Sequence, residues 1–162
     1  MGILRAIRVQ HFEAMERHKT WDFTYWAFDL HQTIIIPNYE YGNIPKEFYP
    51  YAKEVLQMLS KRDDIVMYMY TCSHPHEQEE YVKYFEEMGI DFKWVNKNPE
   101  VKTDKQGYGY YEDKPYFNVL FEDKAGFDPY EDWEDIRDYF NGLDSWVIRL
   151  RNKIKRFFKN GI

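Results

Sequence analysis

The chain has 162 residues, enough to bury one ordinary core and short for two, so it reads as a single domain over residues 1–162. With 44% apolar, 20% aromatic and 31% charged residues it has the composition of a globular protein, and no apolar run approaches the ~20 residues of a membrane-spanning helix. The net charge of −6 argues against a general nucleic-acid binder, and a single cysteine, Cys72, excludes an internal disulfide or a thiolate metal cage.

In chain order, the N-terminal MGILRAIRVQHFEAMERHK mixes charges throughout and lacks a signal peptide's apolar stretch, so a cytoplasmic location is expected. Residues 22–29, DFTYWAFD, are aromatic-rich and apolar toward their end, which suits a strand buried on both faces. A loop with Pro37, Gly42, Pro45 and Pro50 leads to YAKEVLQMLSKR, whose Ala52, Val55, Leu56 and Leu59 share one helical face. IVMYMYT, residues 65–71, is a second strand bounded by Asp63, Asp64 and Pro75. HEQEEYVKYFEEMG is a helix, acidic at its start, apolar at Tyr81, Val82, Phe85 and Met88, and stopped by Gly89. DFKWV is a short third strand, YFNVLFED a fourth, and DPYEDWEDIRDYF an acidic helix with Asp128 as cap and Pro129 at its first position. Residues 144–162 are expected to form a basic amphipathic helix: from Arg149 on there are six Lys or Arg and no acid, while a helix would gather Trp146, Leu150, Ile154 and Phe157 on one face. Core packing is its plainer role; a membrane surface or nucleic acid is the alternative.

Strands alternating with helices predict an α/β fold with a parallel sheet of four or more strands, whose ligands bind beyond the carboxyl ends of the strands. The residues at three of those ends are polar: Asp29, Thr71 and the pair Glu122 and Asp123. Carboxylates converging on one edge are a hard oxygen site of the kind that takes Mg²⁺. There Asp29 is expected to be both ligand and nucleophile toward phosphorus, with Thr71 bonding a phosphoryl oxygen and Lys114 neutralising the dianion.

Four stretches carry a resemblance: Asp29-Leu30-His31-Gln32-Thr33 after an apolar strand, YMYTCS with Thr71 and the fallback Ser73, Lys114 in EDKPYF, and Glu122-Asp123 in VLFEDKAGFD. Together, in this order, they resemble the motifs of the haloacid dehalogenase (HAD) superfamily of phosphotransferases, over residues 22 to about 140. TCSHPHEQEEYVKYFEEMGIDFKWVN is similar to small members without a large cap. The resemblance implies a Rossmann-like three-layer sandwich with a minimal or absent cap, and Mg²⁺-dependent phosphomonoester hydrolysis through an aspartyl-phosphate. It assigns Asp29 and His31 to catalysis, Thr71, Ser73 and Lys114 to substrate, and Asp29, the His31 carbonyl, Glu122 and Asp123 to the metal. The open site it implies suits a nucleotide, a nucleic-acid end or a phosphoprotein.

The departure is His31, where the family's phosphatases usually carry a second aspartate. An imidazole suits acid-base work near neutrality, but its cationic form beside Mg²⁺ is disfavoured. The alternative reading is therefore a catalytically impaired HAD-fold binding or scaffold protein, with His31 as a structural hydrogen-bonding residue. Lys102, Lys105 and Lys124 compete with Lys114 for the cationic role. His74 and His76, with His31, are zinc-ligand types, but a His-x-His pair without a cysteine cluster reads as loop. Gly89, Gly107 and Gly109 make no phosphate-cradling GxxxxGK loop. The tyrosines of YGYYEDKPYF suit packing, or stacking on a base or sugar.

Overall fold

Aromatic-rich Thr24–Phe28 (β1), TYWAF, is the central strand, and every residue of it but Tyr25 is buried. The computed structural model describes residues 2–38, 40, 42–103 and 109–142; the expected helix over residues 144–162 and Lys105 lie outside the described residues. Chain order gives α1 (Ile3–Ile7), a π-helical turn over Arg8–Phe12, α2 (Glu13–Arg17), β1, α3 (Ala52–Leu59), β2 (Ile65–Met69), α4 (Pro75–Glu87), β3 (Val119–Phe121) and α5 over residues 132–142. β1 pairs in parallel with β2, Thr24 opposite Ile65, and with β3, Trp26 opposite Val119, so the sheet order is β2-β1-β3. This is an α/β fold: a small parallel sheet flanked by helices.

Among the described residues the sheet has three strands where four or more are expected. The DFKWV stretch does run along the outer edge of β2, where Lys93 N–H donates to Met67 O and Met69 N–H to Trp94 O, both at 2.9 Å. It forms only a single parallel bridge, Met69 with Val95, before Asn96 turns the chain away at φ 54°. The fourth expected strand is likewise cut to Val119–Phe121. The N-terminal helical run is the element the sequence reading omits; it buries Ile3, Ile7, His11 and Ala14.

Aromatic rings fill the core. Phe28 stacks on Phe121 with centroids 4.2 Å apart, and Phe121 stacks in turn on Trp133 of α5 at 5.7 Å. α5 follows the expected acidic helix, with Trp133, Ile136 and Phe140 on its buried face. Among the described residues, no helix is long and apolar enough to cross a membrane.

Candidate active site

Because all three strands run the same way, the residues that follow them emerge at one edge. β1 hands over to Asp29, whose N–H donates to Phe121 O at 2.9 Å and so ties it to the end of β3. The next residues do not continue the strand. They close a turn in which the Ile34 and Ile35 N–H groups both donate to Leu30 O at 2.8 Å, with Gln32 in the left-handed region at φ 60°. That turn brings Thr33 back under Asp29: its hydroxyl donates to Asp29 Oδ2 at 3.5 Å and accepts from the Asp123 N–H at 3.2 Å. The Thr33 carbonyl accepts from Trp133 Nε1 at 2.8 Å. One buried threonine thus links the two strand ends and the core.

Carboxylate oxygens of Asp29, Glu122 and Asp123 lie within 4.8 Å of one another. That is close to the ~4 Å between opposite ligands of a cation bound at ~2.1 Å, so the donor set fits a hard divalent ion. Three acids this close repel, and they are partly withdrawn from water. Burial, followed by the Glu122 charge, raises the Asp29 carboxyl to about 7. Burial and the adjoining Asp123 also raise Glu122, whereas burial of Asp123 is outweighed by hydrogen bonds from Glu122 and Lys124, which hold it below the usual carboxylate range. Such a cluster favours a cation, which would offset the mutual repulsion.

Asp29 and Glu122 open into a cleft of about 660 Å³. Thr71, Ser73, His31 and Cys72 line it, as do Asn96 and Glu77. Asn96 holds Thr71 at both ends, its Oδ1 accepting from the Thr71 N–H at 2.8 Å and its Nδ2 donating to the Thr71 carbonyl at 2.7 Å. The Thr71 hydroxyl accepts from the Ser73 N–H at 3.2 Å and lies 3.1 Å from Ser73 Oγ. α4 starts just beyond, with His74 as its cap, Pro75 in its first turn and Glu77 accepting from the His74 N–H at 2.9 Å. A helix N-terminus carries partial positive charge, which suits an anion.

The structure gathers Asp29, His31, Thr71, Ser73, Glu122 and Asp123 at this edge, and does not bring Lys114 to it. Lys114 precedes β3, whose carboxyl end and not its amino end faces the cleft. The lysine lining the cleft is Lys124, whose Nζ is 3.3 Å from Asp123 Oδ1 and 3.6 Å from Glu122 Oε1. His74 and His76 stack on each other at 5.8 Å, and the metal-competent group among the described residues contains no histidine. His31 Nε2 lies 2.8 Å from the hydroxyl of Tyr81, a fully buried residue of α4. Burial pushes the His31 imidazole below its ordinary value, Glu77 opposing. Asn96 and Tyr81 are the site's unforeseen parts; Lys124 is one of the lysines expected to compete with Lys114, and Thr33 belongs to the motif that begins at Asp29, although its link to Asp123 had no local sequence signal.

No protein-family model matches the chain, and no curated protein matches it. A solved structure of a conserved protein from Bacteroides thetaiotaomicron is similar to it at 20% identity with a TM-score of 0.55, covering 75% of this chain and 92% of that one. At that identity the likeness speaks for the α/β fold alone.

Proposed function

We propose that this protein is an HAD-like, Mg²⁺-dependent phosphatase that hydrolyses a phosphomonoester through an aspartyl-phosphate. The observation that carries the reading is the meeting of the Asp29, Glu122 and Asp123 carboxylates at the carboxyl edge of a parallel sheet, in a cleft lined by hydroxyls and a lysine. Asp29, the His31 carbonyl, Glu122 and Asp123 would hold the cation, which supplies neutralising charge to phosphoryl oxygens. Thr71, Ser73 and the N-terminus of α4 receive the phosphoryl group, and Lys124 adds positive charge at the rim. The Asp29 carboxylate forms an O–P bond as the bond from phosphorus to the leaving oxygen breaks. Water then attacks phosphorus, releasing inorganic phosphate and freeing Asp29.

His31 limits the rate. With Nε2 engaged by Tyr81, Nδ1 is the nitrogen left to protonate the leaving oxygen, and burial keeps the imidazolium scarce at neutral pH. Loss of general acid help costs ~10²–10⁴-fold, so good leaving groups are the preferred substrates. The same observation favours a second reading, a phosphate-binding protein without turnover.

Hydrolysis of p-nitrophenyl phosphate with and without Mg²⁺ decides between them. Turnover that requires Mg²⁺ and vanishes in Asp29→Asn is the expected result. An inert wild type that gains turnover in His31→Asp establishes the binding protein, and undiminished activity in Asp29→Asn removes the nucleophile assignment.

A further inference from the structure

At the amino edge of the sheet, opposite the acidic cleft, a second cavity of about 560 Å³ opens beside the start of β1. Trp21, Phe23, Tyr25, Tyr111 and Tyr116 line it, and Asp22 carries the only formal charge among the described residues that do so. Phe23 meets Tyr25 at an interplanar angle of 89°, Tyr25 meets Tyr116 at 85°, and Tyr111 meets Tyr116 at 77°. Trp21 is backed by His18, stacked on it at 4.3 Å.

We propose that this cavity binds a small soluble ligand bearing a quaternary ammonium group, held by cation–π contact with these rings and by the charge of Asp22. The angles decide the shape of the occupant. A flat heterocycle is clamped by parallel rings, whereas rings standing at right angles wall a corner that suits a rounded group with no preferred plane. The charge decides the rest: aromatic faces are the negative part of the ring quadrupole, and a carboxylate joins them. Tyr25 adds a specific device, because its hydroxyl donates to Glu100 Oε2 at 2.9 Å. Donation to a carboxylate pushes electron density into the ring and strengthens its attraction for a cation. Burial, and then that bond, hold the Tyr25 phenol protonated well above its ordinary value, so it remains a donor across the physiological range.

The test is calorimetric titration of the 162-residue chain with choline and, in parallel, with 3,3-dimethylbutan-1-ol, which has the same shape and no charge. Choline is expected to bind at least ~10-fold more tightly, the gain cation–π recognition gives in a partly desolvated site. Trp21→Ala should weaken choline by about 10-fold. Tyr25→Phe, which keeps the ring and removes its link to Glu100, and Asp22→Asn should each weaken choline several-fold and leave the alcohol unchanged. Circular dichroism melting confirms that each variant is folded. Equal affinity for the two probes, no binding of choline, or wild-type affinity in Trp21→Ala with Tyr25→Phe overturns the proposal. Asp29→Asn should bind choline like wild type whatever the phosphatase assay shows, so the two readings fail separately.

Discussion

The carboxyl of Asp29 has been raised to about 7, and a raised acid is a cost to the folded state. Its unfolded value is ~3.9, so between the two values the folded protein holds a proton that the unfolded chain has released, and stability falls as pH climbs through that window. In chelator at pH 8, Asp29→Asn should therefore melt higher than wild type, by ~3 °C or more if about 1 kcal/mol is recovered, and the gap should close toward pH 4. Added Mg²⁺ should raise the wild-type melting temperature at pH 8 and barely move that of the variant. A variant that melts lower at both pH values would show that Asp29 is a structural cap and not a strained ligand. At this scale the sequence was informative where chemistry follows the end of a strand, as at Asp29, Thr71 and Asp123. It was silent where a side chain is placed by a turn or by another element: nothing local to Thr33 announces that its hydroxyl spans Asp29 and Asp123, and nothing near Tyr81 announces His31.

Between elements, the N-terminal helical run is fastened to the edge of the sheet by a polar cluster. His11, fully buried in the π-helical turn, has Nδ1 2.7 Å from Thr24 Oγ1, and its Nε2 lies 3.3 Å from Asp64 Oδ2, an ion-pair distance without full hydrogen-bond alignment. Arg62 grips Asp64 with two nitrogens, at 2.8 and 2.7 Å. Burial by itself would raise Asp64, but the side chains of His11 and Arg62 reverse it and hold the carboxyl below the usual range. A lowered acid stabilises the fold above its unfolded value of ~3.9, and that contribution is lost as pH falls below it. Asp64→Asn should thus lose about 1–3 kcal/mol at pH 7 by urea denaturation, with the difference from wild type shrinking by pH 3. A constant difference at both pH values would mean that shape, not charge, matters there. The same cluster explains why this run was illegible. Its buried face is Ile3, Ile7, His11 and Ala14, so a histidine interrupts the apolar repeat, and the π-helical turn shifts its phase. The strands fared better because their apolar runs are continuous; what the sequence overstated was their length, since at the strand ends the side chains of Asn96 and Asn118, in place of further strand backbone, bond the backbones of Thr71 and Tyr25.

Across the whole molecule, a parallel sheet separates two sites by polarity: the Asp29, Glu122 and Asp123 carboxylates meet where the strands finish, and an aromatic-walled cavity opens where they start. Between them lies the stack of Phe28, Phe121 and Trp133, and Trp133 is the residue through which the core reaches the acidic edge, by donating to the Thr33 carbonyl. Trp133→Phe keeps an aromatic ring in a fully buried position, yet it removes volume and that donor. The lost packing and the orphaned carbonyl together should cost about 2–4 kcal/mol in chemical denaturation. If the bond also sets the Thr33 turn, and through it the spacing of Asp29 and Asp123, the variant should lose Mg²⁺-dependent stabilisation beyond its lower baseline while choline titration at the amino edge stays unchanged. Loss of stability alone, with the Mg²⁺ increment intact, would show that the metal-competent geometry is held locally by the Thr33 hydroxyl and does not depend on the core behind it.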